Sequence, residues 1–420
     1  MTELTLIVED FSCIKSADIC LARLTILIGP QASGKSLLSK LIYFFNSIAI
    51  EHRSADEANV AFEVWKKSIC DRFVEWFPIS AWGKGKFRIE YHLGAYVIRL
   101  TRSTYNGKLS DKIRVWASPA VEDFHASRSK FQKRLSSRPD AELDWESIYK
   151  IGDAVRSLFE KQFGESNLIS QMFIPAGRSF FTSAGKAVTA FEHAKLFDPV
   201  TLAFGKRLAS YRDRGGISGQ LRSQGGQLLR RAGDILGGEV IIDRSGEYLK
   251  TNDGRKIPFG SLSSGQQELL PLLMVLDTIY LPRSYPGVRF VCIEEPEAHL
   301  FPSAQSSLIE LFAALVRQVP QNRVLVTTHS PYVLSKINNL IYAGQVGAHE
   351  KATDDVRKII PSRHWLPTPI VDAYAFQDGH VVSILDESGL VAADYLDDVS
   401  GSIAKEFNKL LAVGVSHDVV

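Results

Sequence analysis

The chain has 420 residues, 45% of them hydrophobic and 23% charged, so it is long enough for two or three compact units with a real core. Its 49 basic and 47 acidic residues give a formal net charge of +2, which argues against a globally basic nucleic-acid-binding or membrane-surface protein. The four cysteines form no CxxC pair, and no apolar run approaches the roughly 18 residues of a membrane span. We therefore expect a reduced, cytoplasmic protein without a signal peptide, a cysteine-bound metal or a membrane partner.

The N-terminal region alternates short strands with a buried helix. Residues 6–8 and 24–28 are apolar and rich in β-branched side chains, and the pattern of residues 36–50 predicts a helix packed against a sheet. A complete GxxxxGK[ST] motif joins the second strand to this helix, and it consists of Gly29, Pro30, Gln31, Ala32, Ser33, Gly34, Lys35 and Ser36. In such a loop, backbone N–H groups surround a phosphate, Lys35 reaches the β- and γ-oxygens, and the Ser36 hydroxyl binds Mg²⁺. The motif therefore predicts a site for ATP and Mg²⁺.

The next part of the chain is predicted to be an insertion, at about residues 51–170. Strands of an antiparallel meander are expected at 87–91, 96–102 and 112–116. Amphipathic helices are expected at 55–77, 121–138 and 143–163. We interpret this stretch as a meander and a helical lobe inserted in a nucleotide-binding domain that spans residues 1–345.

The second half of the chain returns to alternating strands and helices. Strands are predicted at 173–174, 239–242, 247–250, 288–293 and 323–328, with helices from about Gly265 and Ser303. A C-terminal α/β extension, residues 346–420, is expected to hold strands near 371–376 and 381–384 and a helix at 402–411. This order predicts an α/β fold in which one mainly parallel sheet is assembled from both ends of the chain.

Two neighbouring carboxylates follow the strand at 288–293. Stability does not require Glu294 and Glu295 there, because taking a carboxylate out of water costs free energy. Beside a phosphate loop they indicate a cation and a reacting water, with Glu294 near Mg²⁺ and Glu295 as the general base. The strand at 323–328 runs into His329, which places this side chain at the same end of the sheet.

A second helix start resembles an anion site. The segment Leu262-Ser263-Ser264-Gly265-Gln266-Gln267-Glu268 precedes an apolar helix and leaves N–H groups and hydroxyls at its first turn. One phosphate group needs one such cradle, so the second is explained by an ATP carried on another copy of the chain. Taken alone, the segment is a well-capped helix.

These four segments, in this order, resemble those of the ABC ATPase superfamily, above all its SMC and RecF-like branch and the ATPase half of OLD-family nucleases. The resemblance spans about residues 1–345 and is carried by the phosphate loop, LSSGQQE at 262–268, EEPEAHLFP at 294–302 and TTHSPYVL at 327–334. It implies an ABC-type P-loop ATPase fold. It also implies a head-to-tail homodimer, or a higher homo-oligomer, with two ATPs held between phosphate loops and LSSGQQE segments.

The resemblance also implies roles for single residues. Three residues of the LSSGQQE segment would contact the γ-phosphate of the ATP held by the second copy, namely Ser263, Gly265 and Gln266. His329 would sense the γ-phosphate. Gln171 or Arg178 would couple the γ-phosphate to the inserted lobe, with Gln171 as a further Mg²⁺ ligand.

The sequence departs from the resembling proteins in several ways. Gln31-Ala32 stands where this branch often has Asn-Gly, and Glu294 stands where many ABC proteins have Asp. The insertion lacks heptads, so it does not form the long coiled-coil arms of SMC proteins. The residues after 345 are too few for the TOPRIM domain of an OLD-type nuclease, and their acids form no DxD pattern. We therefore expect no nuclease activity in this chain.

A basic segment at Lys206–Arg231 leaves the biological role open. It contains Lys206, Arg207, Arg212, Arg214, Arg222, Arg230 and Arg231, with Asp213 as its one acid and Tyr211 as its one aromatic residue. It is explained either as a solvated or docking face or as a contact for the phosphate backbone of nucleic acid.

Three functions follow from these alternatives. The first is an ATP-driven switch that controls a separately encoded effector protein, as in the anti-phage defence or toxin-like modules that the chain resembles. The second is an SMC/RecF-like DNA-maintenance ATPase that binds DNA directly. A nucleotide subunit of a transporter is disfavoured, because the meander and the C-terminal extension do not suit a coupling surface for a membrane partner.

Overall fold

A computed structural model describes residues 4–53, 60–105, 107–136, 145–163, 168–184, 197–217, 228–229, 232–243, 246–280, 288–318, 322–367 and 369–392. The strands are β1 (Leu4–Phe11), β2 (Ile14–Cys20), β3 (Leu24–Ile28), β4 (Arg88–Leu93), β5 (Tyr96–Tyr105), β6 (Lys108–Ala117), β7 (Leu168–Ile174), β8 (Gly238–Asp243), β9 (Gly246–Thr251), β10 (Lys256–Pro258), β11 (Val288–Glu294), β12 (Arg323–Thr328), β13 (Val371–Gln377) and β14 (His380–Ser383). The α-helices are Lys35–Arg53, Phe62–Trp76, Pro119–Ser136, Trp145–Phe163, Ser179–Ala184, Pro199–Ile217, Gly233–Leu236, Ser264–Tyr280, Pro302–Gln318, Pro331–Val346 and Thr353–Ile359. Within these ranges no helix has both the length and the apolar character that a membrane crossing requires.

In the described part of the chain, eleven strands form one sheet in the order β6-β5-β4-β1-β2-β14-β13-β3-β12-β11-β7, and β8, β9 and β10 form a small second sheet. Strands β7, β11, β12, β3 and β13 are parallel neighbours. Strands β2, β1, β4, β5 and β6 pair in antiparallel fashion, so the predicted meander extends the main sheet. Strand β14 joins the two halves, antiparallel to β13 and parallel to β2.

The parallel half of the sheet is buried on both faces. On β3, Leu24, Ile26 and Ile28 belong to one hydrophobic cluster, whereas Leu27 belongs to the other. Successive side chains of a strand point to opposite faces, so a parallel strand covered by helices on both sides has a continuous apolar sequence. Helices from the second half of the chain cover the first face, and the helix Lys35–Arg53 with the insertion helices covers the second.

The structure confirms the predicted α/β fold built from both ends of the chain, with strands β3 and β12 at the predicted residues. Strands β2 and β10 and the helix Pro331–Val346 were not predicted. Strands β13 and β14 of the predicted C-terminal extension lie inside the sheet, between β3 and β2. The predicted helix at 402–411 lies outside the described residues.

Candidate functional site

Three neighbouring parallel strands end at one edge of the sheet, and each carries residues that the sequence singled out. Ile28 at the end of β3 pairs with Thr328 of β12, and Thr327 pairs with Glu294 of β11. The phosphate loop, His329 and the two glutamates follow these positions directly. The carboxyl edge of an open α/β sheet is where ligands bind, so the predicted site is assembled there.

The backbone of the phosphate loop turns sharply at two residues. Gly34 has a φ of +109°, and a Cβ added to it would lie 3.0 Å from Sγ of Cys13, so only glycine suits this position. Ala32 has a φ of 59°, a left-handed conformation that costs an L-residue about 1–2 kcal/mol. Left-handed residues placed among right-handed ones aim successive N–H groups into one concavity that attracts anions. Ala32 therefore bears strain at a position where the resembling proteins often have glycine.

Lys35 is buried at the centre of this loop. Its Nζ donates to the carbonyl oxygens of Gly29 at 2.8 Å and of Pro30 at 2.7 Å. Burial lowers the pKa of Lys35, and the nearby carboxylates of Glu295, Glu297 and Glu294 act in the opposite direction. The ammonium group is thus held by two carbonyl oxygens of the loop itself.

Glu294 and Ser36 fit a Mg²⁺ ion. Oε2 of Glu294 accepts a hydrogen bond from the N–H of Ala176 at 3.2 Å. Its other oxygen, Oε1, is buried and has no hydrogen-bond partner among the described residues. Buried polar atoms are rarely left without a partner, and Mg²⁺ with its bound waters binds carboxylate oxygens. Ser36, exposed at the start of the helix Lys35–Arg53, supplies the hydroxyl that the motif predicts.

Glu295 and His329 form a pair at the edge of the site. Nε2 of His329 lies 3.0 Å from Oε1 of Glu295, and the glutamate side chain remains 37% exposed, within reach of water. Glu297 fixes the backbone of His329, because its Oε1 accepts from the N–H of His329 at 2.8 Å and from the hydroxyl of Thr328 at 2.6 Å. A carboxylate oriented by a histidine and open to water has the geometry of a general base. Glu297 was not predicted as a site residue, although it lies in the EEPEAHLFP segment.

The second predicted anion site has a different construction. Ser263 and Gln266 cap the helix reciprocally, since Ser263 N–H donates to Oε1 of Gln266 at 3.0 Å and Gln266 N–H donates to Oγ of Ser263 at 3.4 Å. Gly265 is buried against the carbonyl of His299, which a Cβ would approach to 2.7 Å. Ser263 and Ser264 are exposed. The helix start therefore presents its polar groups outward while its own hydrogen bonds are made.

Gln171 does not lie with the residues that it was expected to join. It pairs with Phe290 on β11, four residues before Glu294, which is about 13 Å along a strand. Its Nε2 donates to the carbonyl of Tyr43 at 2.9 Å, in the middle of the helix Lys35–Arg53. The carboxyl edge of β7 is formed by later residues, so we assign Gln171 no part in binding Mg²⁺ or in coupling to the γ-phosphate.

Arg178 is buried beneath the site and contacts backbone atoms. Its Nη1 donates to the carbonyl of Glu294 at 2.6 Å, and its Nη2 donates to the carbonyl of Glu295 at 3.0 Å. Burial lowers its pKa, and the carboxylate of Glu268 is the largest influence in the other direction. Its hydrogen bonds therefore hold the glutamate segment and do not point to a phosphate.

The basic segment is only partly described. Arg212 is buried, forms an ion pair with Glu247 and donates from Nη1 to the carbonyl of Phe181 at 3.2 Å, so its charge is not available to nucleic acid. The side chains of four other members lie outside the described residues, namely Arg214, Arg222, Arg230 and Arg231.

The family model described as "AAA domain, putative AbiEii toxin, Type IV TA system" matches residues 24–335, a stretch that contains all four motifs. Similar solved structures include the SMC head domain from Thermotoga maritima, with 12% identity, 91% of this chain and 98% of that chain covered, and a TM-score of 0.37. Another is the ADP conformation of MJ1267, an ATP-binding cassette of an ABC transporter, with 14% identity, coverage of 91% and 90%, and a TM-score of 0.30. An Smc head domain bound to the C-terminal domain of ScpA, derived from Pyrococcus furiosus, has 11% identity, coverage of 97% and 100%, and a TM-score of 0.36. No curated protein sequence matches this chain.

Proposed function

This chain belongs to the family of AAA domains described as putative AbiEii toxin of a type IV TA system, and from that premise we propose that it hydrolyses ATP with Mg²⁺ as a dimeric switch. Family membership and the mixed α/β sheet support the prediction of an ABC-type P-loop ATPase of the SMC/RecF-like branch, a class of fold that binds and hydrolyses ATP. The resemblance to OLD-family proteins stays a prediction.

The observation that carries the proposed reaction is the Glu295–His329 pair at the same edge as the phosphate loop. Glu295 accepts a proton from the attacking water, and His329 keeps its carboxylate oriented. Lys35 and the loop N–H groups neutralise the phosphate oxygens, so little charge is left without a partner in the transition state. Glu294 and Ser36 would hold Mg²⁺, which would neutralise charge on the phosphate groups when bound.

The second helix start supports a dimer that closes around ATP. Ser263 and Ser264 are exposed hydroxyls at a helix N-terminus, which favours contact with an anion from outside the chain. The phosphate loop of the same chain already provides the cradle for its own nucleotide. We infer that Ser263, Gly265 and Gln266 contact the γ-phosphate of ATP bound to a second copy.

The proposed role of this cycle is to control a separately encoded effector protein. Support comes from the family description, which names a putative toxin of a type IV TA system, and from the resemblance to toxin-like defence modules. Direct DNA binding has weaker support, because Arg212 is buried and neutralised by Glu247. An anti-phage function is part of this proposal.

The test is to measure ATP turnover and molecular mass of the wild type and of Glu295→Gln, with and without ATP. Loss of the base is expected to lower turnover by about 10²–10⁴-fold, while ATP still binds and the stalled protein accumulates as a dimer or larger. Glu310→Gln is the matched control, since Glu310 pairs with Lys336 on the neighbouring helix and should leave turnover unchanged. Unchanged turnover and mass in Glu295→Gln would falsify the base assignment and the closed dimer.

Duplex DNA in the same assay separates the two roles. Turnover that is indifferent to DNA supports an effector-controlling switch. Stimulation that disappears steeply with salt indicates direct contact with the phosphate backbone and favours the DNA-maintenance ATPase.

A further inference from the structure

The backbone of Glu295 is held in a conformation that few residues adopt. Its φ is 42°, in the left-handed region that is unfavourable for a side chain of this size. Such a conformation persists only where the surroundings determine it strongly. Here the N–H of Glu295 donates to the carbonyl of Thr327 at 2.9 Å, and the Glu295 carbonyl accepts from Arg178 at 3.0 Å. The backbone that carries the proposed base is thus fixed by hydrogen bonds at both the N–H and the carbonyl of Glu295.

Arg178 connects several segments through one guanidinium group. It is completely buried. Besides the carbonyls of Glu294 and Glu295, it donates to the carbonyl of Pro175 at 2.8 Å and to that of Glu268 at 3.1 Å. A guanidinium presents five donors in a fixed planar arrangement, which an ammonium group cannot reproduce. Lysine at this position would keep the charge and lose the simultaneous contacts.

The carboxylate of Glu268 contacts Arg178 at its backbone N–H and at Nε. Its Oε2 accepts from the N–H of Arg178 at 2.9 Å and lies 3.4 Å from Nε, and its Oε1 accepts from the N–H of Ser179 at 3.1 Å. Glu268 is buried and lies one helical turn after Gly265, in the helix Ser264–Tyr280. The helix start is therefore joined to Arg178 by a short series of hydrogen bonds.

We propose that Arg178 and Glu268 are a positioning pair that fixes the backbone of Glu295 and ties it to the helix start at Ser263–Gly265. This inference rests on the proposed function, in which that helix start contacts ATP on the second copy. Contact with the second ATP then sets the orientation of Glu295 in the first site. Hydrolysis at one site thereby depends on nucleotide at the other.

Arg178→Lys tests the pair, with turnover measured as a function of ATP concentration alongside ATP affinity and dimer mass. The wild type is expected to respond cooperatively, with a Hill coefficient approaching its limit of about 2 for two sites. In Arg178→Lys, kcat is expected to fall about 100-fold, because small misplacements of a catalytic group are costly. ATP affinity should stay unchanged, and the Hill coefficient should fall to about 1.

Arg212→Lys is the matched control. Arg212 is also buried, pairs with Glu247 and donates to the carbonyl of Phe181, and no described contact joins it to Glu294 or Glu295. Its replacement should lower thermal stability and leave the Hill coefficient as in the wild type. If both variants change the Hill coefficient alike, Arg178 has only a structural role and the inference is wrong.

Glu268→Gln decides the question should Arg178→Lys not fold. Glutamine keeps the shape and one acceptor oxygen and loses the ion pair, so kcat and the Hill coefficient should both fall with ATP affinity intact. Wild-type kinetics in the folded variants, or a non-cooperative wild type that still dimerises with ATP, overturns the inference alone. The separate failure of Glu295→Gln to stall and dimerise overturns the proposed function instead.

Discussion

The two glycine-containing helix starts of this protein, the phosphate loop and the segment Ser263–Gly265, look alike in sequence and are built in opposite ways. In the phosphate loop, Lys35 is buried among carbonyls, and Oγ of Ser33 is buried without a hydrogen-bond partner in the described part of the chain. In the second segment, Ser263 and Gln266 satisfy each other. The phosphate loop thus leaves a polar group without a partner, as a ligand site does, whereas the polar groups of Ser263 and Gln266 are already hydrogen-bonded to each other. An anion that binds the hydroxyl or N–H of Ser263 must therefore replace a capping hydrogen bond.

The glycines of the two helix starts serve different purposes. Gly34 is required by its φ of +109°, which shapes the loop around a phosphate. Gly265 is required by proximity, because the carbonyl of His299 leaves no room for a Cβ. Glycine in the phosphate loop thus determines the backbone conformation of the loop. Glycine in the second helix start instead allows close contact with the segment that carries Glu295.

The largest effect on ATP affinity is expected for Lys35→Ala. The charged partner of the phosphates is lost, so ATP affinity should fall about 100-fold, equivalent to roughly 3 kcal/mol. Binding of a fluorescent ATP analogue measures this change. Lys40→Ala is the control, because Lys40 lies further along the same helix, partly exposed and paired with Asp198, and should leave affinity unchanged. Equal losses in both variants would contradict the central place of Lys35.

Gly34→Ala and Gly265→Ala distinguish the function of the phosphate loop from that of the second helix start. Gly34→Ala strains the loop and brings a Cβ to 3.0 Å from Sγ of Cys13, so ATP binding should fall at least about 10-fold. Gly265→Ala displaces the helix start from His299 and should leave ATP binding to the same chain intact. In that variant, the ATP-dependent increase in mass should disappear when it is combined with Glu295→Gln. A Gly265→Ala protein that no longer binds ATP would show that the two helix starts are not independent.

Local features of the site could be predicted from the sequence because their causes are local. The phosphate loop needs glycine at fixed positions between a strand and a helix. Strands β3 and β12 appear as continuous apolar runs because both of their faces are buried. Glu294 and Glu295 were recognisable because acids directly after such a strand have no structural reason to be there. These inferences required no knowledge of which strands are neighbours.

Other features depend on contacts between distant parts of the chain. Gln171 was expected at the site because the family resemblance implied that role, but the register of β7 on β11 places it beside Phe290. Strand β13 lies beside β3, from the other end of the chain, and no local pattern indicates that neighbour. Glu297 acts through hydrogen bonds to β12 and its following residue, which only the assembled sheet brings within reach.

The smallest expected effect comes from Ser263→Ala, which tests whether the second helix start exchanges a cap for a phosphate. Loss of the cap should destabilise the protein by about 1 kcal/mol, a shift in Tm of roughly 1 °C. Ser264→Ala is the control, since Ser264 is equally exposed and its hydroxyl makes no hydrogen bond in the part of the chain that the structure describes. If Ser263 contacts ATP on a second copy, Ser263→Ala should also lower turnover severalfold at saturating ATP, with ATP affinity unchanged. A loss of Tm without any loss of turnover would mean that Ser263 is only a helix cap, and that the second copy is recognised through Gly265 and its neighbours.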